Sequence, residues 1–512
     1  MNRAISEDPF HASAAKRALG YFIVGKVLAG LTGFGFLVYA ARGLATNDYG
    51  AYVSLVAILE ITLLTTNLGA YPIAQRYVTE ARLPANLPQL PVLVWATAAY
   101  RAATLLVACV LLGSLGGGGL QWMKLANAAM LLPVYAVVIG FEGFARYLDL
   151  VLESLLQQRL AQASALFRNI ARLSAVAWAT HFNQGLELAT LVHIELACST
   201  LGALFVMVLM WRLMHRLVPS EVAKQAQPLD WRRMWAFAMP LTAAQVLSQL
   251  YSPDAIKFVI ARLLGVVEVA AFGLAHSLSA MVQRYLPAQM LLGWLRPLLV
   301  SRHASGASGH ELVATGNLIL KLNHFLLVPA IVWVAVEAPT LVLLVSGGKA
   351  PSAAPLLSGL MALLILQALH VVLSMLATSI EDRRGVLLGI LISVPGIGLG
   401  IWLTSSLGAI GMVLGLWASE AAYCVVTTLS LRRCGLPFMI DWPAWGRIGL
   451  AAGLPGGVIA ATQGPATTVA GLSVHALIFA LAYLLLSRAL RPFKAHERAR
   501  VNRMLPRPWF VF

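Results

Sequence analysis

Residues 92–113 read VLVWATAAYRAATLLVACVLLG, an otherwise uncharged run with a single arginine, Arg101, near its middle. As a helix rising about 1.5 Å per residue, a run of this length spans the roughly 30 Å of hydrocarbon in a bilayer. A cation at mid-bilayer costs roughly 2.5–3.5 kcal/mol on insertion scales, so it normally faces water or a partner. The run therefore predicts a membrane helix and, with it, a buried charge that needs a reason.

The same pattern repeats along the chain. Of 512 residues, 59% are hydrophobic and only 11% charged, and the mean hydropathy is +0.78. That composition places the protein among all-α polytopic integral membrane proteins, with about 14 transmembrane helices. Spans are expected at 18–41, 51–73, 92–113, 126–145, 164–181, 188–211, 234–260, 269–292, 316–337, 352–379, 385–405, 408–431, 447–462 and 468–487. The first follows Lys16 and Arg17 and is too long for a signal-peptide core, so it is expected to be a permanent span.

Orientation follows from the loop cations. With the N-terminus cytoplasmic, only Arg42, Lys124, Arg262 and Lys349 of the 37 lysines and arginines fall in outside loops, as the positive-inside rule requires. Both termini are then cytoplasmic. The net charge of +16 is a topology signal and does not call for nucleic acid. A basic tail after the last span also suits anionic membrane lipids. Trp211, Trp231, Trp235, Trp294, Trp442 and Trp445 sit at expected span ends as interfacial anchors.

The polar segment 212–233, with Pro219 and Pro228, reads as a cytoplasmic linker between two halves. The expected organisation is an N-terminal segment 1–17, a six-helix bundle 18–211, the linker 212–233, a second six-helix bundle 234–431, two further helices within 432–487, and a basic tail 488–512. The halves share a pattern. Ala41-Arg42-Gly43-Leu44, with Asp48 and Tyr52 following, matches Ala261-Arg262-Leu263-Leu264, with Glu268 and Phe272, at an offset of 220 residues. Equal orientation of the two units implies a parallel repeat, a layout typical of alternating-access transporters.

The run Ala41-Arg42-Gly43-Leu44 through Asp48-Tyr49-Gly50-Ala51-Tyr52, then Asn67-Leu68-Gly69 and Gln75-Arg76-Tyr77-Val78, resembles the N-terminal signature of the polysaccharide transporter (O-antigen or exopolysaccharide flippase) family. That family lies within the multidrug/oligosaccharidyl-lipid/polysaccharide exporter superfamily. The likeness covers about residues 17–82, and more weakly 233–290, where Val269-Ala270 replaces the Tyr49-Gly50 pair. The resemblance implies two six-helix bundles around a central cavity that opens alternately to each side. It also implies a polyprenyl-pyrophosphate-linked glycan as cargo, moved from the inner to the outer leaflet of the bacterial cytoplasmic membrane for polysaccharide biosynthesis. Other polysaccharide-assembly membrane proteins are possible partners, and no cofactor or enzymatic activity is implied.

Basic groups lining a wet groove would offset the lost hydration of a pyrophosphate. Lys26, Arg101, Lys257, Arg284 and Lys321 are the cavity candidates, drawn from both halves, with Arg101 nearest mid-span. Lys321, Arg284, Arg168 and Arg172 lie towards cytoplasmic span ends and could snorkel. Lys257 follows Asp254 by three residues, so an intrahelical pair competes with a ligand role. Glu60, Glu142, Asp254 and Glu420 are candidates for proton coupling or for ion pairing with those cations, and Glu195 is a further buried acid. The spacings Gly396/Gly400, Gly411/Gly415 and Gly449/Gly453 predict close helix packing, with oligomerisation as the alternative. Pro133, Pro253, Pro287, Pro329 and Pro395 interrupt spans and permit bends.

Other signals fail. His310-Glu311 lacks the second histidine of a zinc-protease helix, since Ala314 stands there. His193 and Glu195 have no third ligand, so no metal is expected. Cys109, Cys198, Cys424 and Cys434 have no paired spacing. The alternatives left open are a peptidoglycan lipid-precursor flippase, a multidrug/cation antiporter and, from another class, a membrane glycan polymerase or acyltransferase. Short outside loops argue against the last.

Overall fold

The computed structural model describes residues 12–82, 86–182, 185–219, 228–290, 309–380, 382–504 and 510–512. Parts of the expected N-terminal segment (1–11) and linker (220–227), and Trp294, lie outside them. No strand occurs among the described residues. Among the described residues each expected span overlaps helix, and eleven helices are long and apolar enough to cross a membrane; residues 291–292 of the eighth span lie outside the described ones. The fifth, seventh and thirteenth expected spans are helical but are not among those eleven.

By its internal contacts the chain divides into two compact units, residues 1–266 and 267–512. The first contains α1 (Ala12–Gly43), α2 (Thr46–Thr65), α3 (Leu90–Trp122), α4 (Ala126–Ser154), α5 (Gln158–Phe182), α6 (Leu188–Leu217), α7 (Trp231–Ser248) and α8 (Pro253–Leu264). Helix α4 is its hub, packing on α2, α3, α5 and α6, while α1 lies on α5.

Two expected spans of this unit are broken, each for a backbone reason. The second was expected to continue to residue 73, but α2 stops at Thr65. There Leu68 and Gly69 take φ of 39° and 92°, a left-handed turn that glycine adopts without steric cost. The chain then resumes as helix from Ala70, with a π segment at Ala74–Val78. The seventh was expected to be continuous over 234–260. It divides at Pro253, which has no N–H to donate and so starts α8, with the Ser252 hydroxyl capping it at 3.2 Å from Ala255 N. The helices expected to open the second bundle, α7 and α8, make their contacts with α2 and the 70–73 turn.

The second unit contains α9 (Val266–Arg284), α10 (Gly309–Ser346), α11 (Ala353–Ser379), α12 (Arg383–Ser393), α13 (Pro395–Leu407), α14 (Ala409–Arg433), α15 (Trp442–Thr462), α16 (Val469–Leu490) and α17 (Ala495–Met504). Pro395 divides the expected eleventh span into α12 and α13, whereas Pro133 and Pro329 stay inside continuous helices. Helices α13 and α14 cross at backbone contact. A Cβ on Gly415 would stand 2.6 Å from Gly400 Cα, and one on Gly411 2.6 Å from the Leu403 carbonyl carbon. Gly449 and Gly453 of α15 face no described atom within 4 Å.

Helices α15 and α16 pack on α10. The C-terminal segment folds back on the same surface: Phe493, Phe510 and Phe512 surround Phe325 at ring separations of 5.5, 6.0 and 5.1 Å.

Candidate functional site

The first unit carries a charged cluster built on one face of α4. Glu142, Arg146, Asp149 and Glu153 follow one another at intervals of four, three and four residues, which stacks them along a single helical stripe. A stripe of charge inside a membrane helix must find partners, and the neighbouring helices supply them.

Arg146 bridges two acids. Its Nη1 donates to Glu60 of α2 at 2.8 Å and its Nε to Glu142 at 2.8 Å. Glu142 is 3% exposed and also receives Arg172 of α5, with Arg168 Nε at 3.6 Å. Arg168 Nη2 donates to Asp149 at 2.6 Å and its Nη1 to Ser164 at 2.9 Å. The stem of Arg168 occupies the space where a Cβ on Gly202 would lie, so α6 can approach α5 only through that glycine. Arg172 donates to Ser199 of α6 at 2.9 Å. Beside it, Tyr52 donates to Glu195 at 2.9 Å.

A cavity of about 340 Å³ opens on this cluster, within the size range of small-ligand sites. Glu60, Arg146, Asp149 and Glu153 line it, with the amide side chains of Asn67 and Gln245 and the ring of Tyr71. Asn67 is held in place by accepting from Tyr71 N at 2.8 Å. Asp149 Oδ1 is buried without a protein partner among the described residues. The wall is thus rich in hydrogen-bond acceptors: three carboxylates face the space for one guanidinium. Among the described residues no group of three His, Cys, Asp or Glu is placed to hold a metal ion.

The five sequence-derived cations do not gather here. Arg101 is fully buried one layer behind the wall. It donates to the Leu63 carbonyl at 2.9 Å and to Thr66 Oγ1 at 3.0 Å, with its guanidinium 5.5 Å from the Tyr71 ring centroid. It therefore satisfies the carbonyl end of α2 where that helix stops, a natural place for a cation. Lys257 pairs with Asp254 at 2.7 Å on its own helix. Lys321, 2% exposed, is held by Asp441 at 2.8 Å and Glu497 at 2.9 Å. Arg284 is exposed in the last turn of α9. Lys26 is exposed on α1 and acts electrostatically on Glu153.

The four candidate acids all have basic partners: Glu60 and Glu142 in the α4 cluster, Asp254 with Lys257, and Glu420 with His370 Nδ1 at 2.7 Å. Arg168 and Arg172 turn inward to acids rather than outward, because the carboxylates of α4 offset the cost of burying them. Sequence reasoning passed over Arg146, Asp149 and Glu153 because the fourth span was ended at 145. The helix runs to Ser154, and the charge interval after Glu142 was the signal that it continues.

The profile of a family described as "Polysaccharide biosynthesis protein" matches residues 15–290. Among solved structures, the lipid II flippase MurJ in an inward closed conformation superposes with a TM-score of 0.67 at 13% identity, covering 91% of this chain and 98% of that one. An inward-facing multidrug resistance MATE family transporter of the MOP superfamily gives 0.64 at 14% identity, covering 80% and 94%. At these identities the likeness is one of fold. No curated protein matches by sequence.

Proposed function

This chain belongs to the polysaccharide biosynthesis protein family, and from that premise we propose that it is a flippase for lipid-linked glycans. It moves polyprenyl-pyrophosphate-linked oligosaccharide repeat units from the inner to the outer leaflet of the bacterial cytoplasmic membrane, by alternating access and without enzymatic activity. Both termini face the cytoplasm.

The observation that carries this reading is the cavity on the α4 stripe. Carboxylates, amides and a guanidinium gathered between membrane helices are costly to maintain, and they match the donors and acceptors of sugar hydroxyls. The lipid tail needs no such site, since it is at home in the bilayer. Lys26, exposed and close enough to act on Glu153, is the cation we assign to the pyrophosphate. Arg101 supports this site from behind by holding the end of α2.

Deletion of the gene, followed by analysis of lipid-linked oligosaccharides in each leaflet, tests the assignment. Accumulation of one such species on the inner leaflet, relieved by the intact gene, is expected. An unchanged leaflet distribution overturns it.

The excess of carboxylates on the wall also favours a second reading, a cation antiporter of the same superfamily. Efflux of a lipophilic cationic dye by the purified protein in proteoliposomes, driven by a pH gradient, is the outcome that would prefer it.

A further inference from the structure

The wall chemistry carries a conclusion about the cargo, which rests on the flippase reading. An entering group meets the carboxylates of Glu60, Asp149 and Glu153 and one guanidinium, Arg146. Of the other two arginines of the cluster, Arg168 pairs with Asp149 at 2.6 Å and Arg172 with Glu142, and neither lines the cavity. Arg168 and Arg172 are 5% and 14% exposed and stand behind the acids that they pair with. Like-charge juxtaposition in a confined site rejects wrong partners, and low-dielectric walls strengthen the effect.

We propose that the cavity receives an uncharged sugar, recognised through hydroxyl and amide groups, and discriminates against uronic acids and other anionic sugars. Asp149 lines the cavity, with Oδ2 accepting from Arg168 and Oδ1 buried without a described protein partner. The Asn67 and Gln245 amides can donate and accept, and Tyr71 adds an aromatic face. A sugar ring offers hydroxyl donors that carboxylates accept, whereas a uronate adds a negative charge to a lining whose one arginine is already shared between Glu60 and Glu142. By the same argument the pyrophosphate stays out of this cavity, so sugar and phosphate are read at separate places.

Two arms test this with the full-length protein. In proteoliposomes, two polyprenyl-pyrophosphate disaccharides that differ only in a hexose or a hexuronic acid are compared for flipping. The neutral substrate is expected to move at least about tenfold faster, and Glu60→Gln with Glu153→Gln should narrow that ratio. In detergent, a methyl hexoside should bind and compete with the neutral substrate, while the matching methyl hexuronoside should not. Equal or faster flipping of the uronate substrate, or equal binding of the two glycosides, overturns the proposal. Flipping of neither substrate overturns the flippase reading instead, and the binding arm, which needs no transport, still decides the charge selectivity.

Discussion

Arg146 and Glu60 meet at 2.8 Å across 86 residues of sequence, joining α4 to α2 on the cavity wall. Their side chains are 37% and 39% exposed. Open pairs of this kind contribute about 1 kcal/mol or less to stability, so this one is better placed to serve a ligand than to hold the fold. Glu60→Gln should leave thermal unfolding in detergent nearly unchanged while reducing glycan export in a complementation assay. Full export by the variant would remove Glu60 from the site.

Glu142 is different, because it is buried and shared among three arginines. Removing one partner of a buried ionic cluster typically costs about 3–5 kcal/mol, since charges are left without compensation. Glu142→Gln should therefore lower both melting temperature and membrane abundance. A variant as stable as the parent would show that the cluster is solvated.

Arg101 combines full burial with hydrogen bonds to the end of α2. Arg101→Leu leaves the Leu63 carbonyl unpaired, at a cost of about 1–3 kcal/mol. The expected result is reduced thermal stability together with reduced export. If export fell with stability intact, Arg101 would be acting on cargo rather than on α2.

The glycines of α13, α14 and α15 separate two roles. Gly415→Leu should prevent accumulation of folded protein, because even a Cβ there collides with Gly400. Gly449→Ala should be silent in the monomer, where nothing lies within 4 Å. A folded, active Gly415→Leu protein would disprove the crossing.

Asp441 lies in the loop before α15 and links pH to the C-terminal segment. Burial pushes its carboxyl up, but the hydrogen bond and charge of Lys321 prevail and hold it below its ordinary range. A depressed carboxyl contributes stability above its unfolded value of about 3.9, and that contribution is lost as pH falls below it. Protease access to the segment after Arg491 should accordingly rise below about pH 4, and Lys321→Met should raise it at neutral pH. Equal protection of variant and parent at pH 7 would contradict the lock.

Helices were legible from the chain alone because about 20 consecutive apolar residues is a local property with one physical solution in a bilayer. The family signature was legible too, through Asp48-Tyr49-Gly50 and Gln75-Arg76-Tyr77. Partnerships were not. Arg168 read as a residue free to snorkel, yet it lies against Asp149. Lys321 read as a ligand for cargo, yet its carboxylates come from 120 and 176 residues away.

The amino-acid sequence by itself determined a many-helix membrane protein, where its cations lie along the chain and which family it joins. All three follow from local composition and short motifs. Only the tertiary structure decided which charges compensate one another and which face open space, because the energy of a buried charge depends on atoms within a few ångströms, not on its neighbours in sequence. That is why Glu60, Arg146, Asp149 and Glu153 form the cavity wall while Arg101 stands behind it.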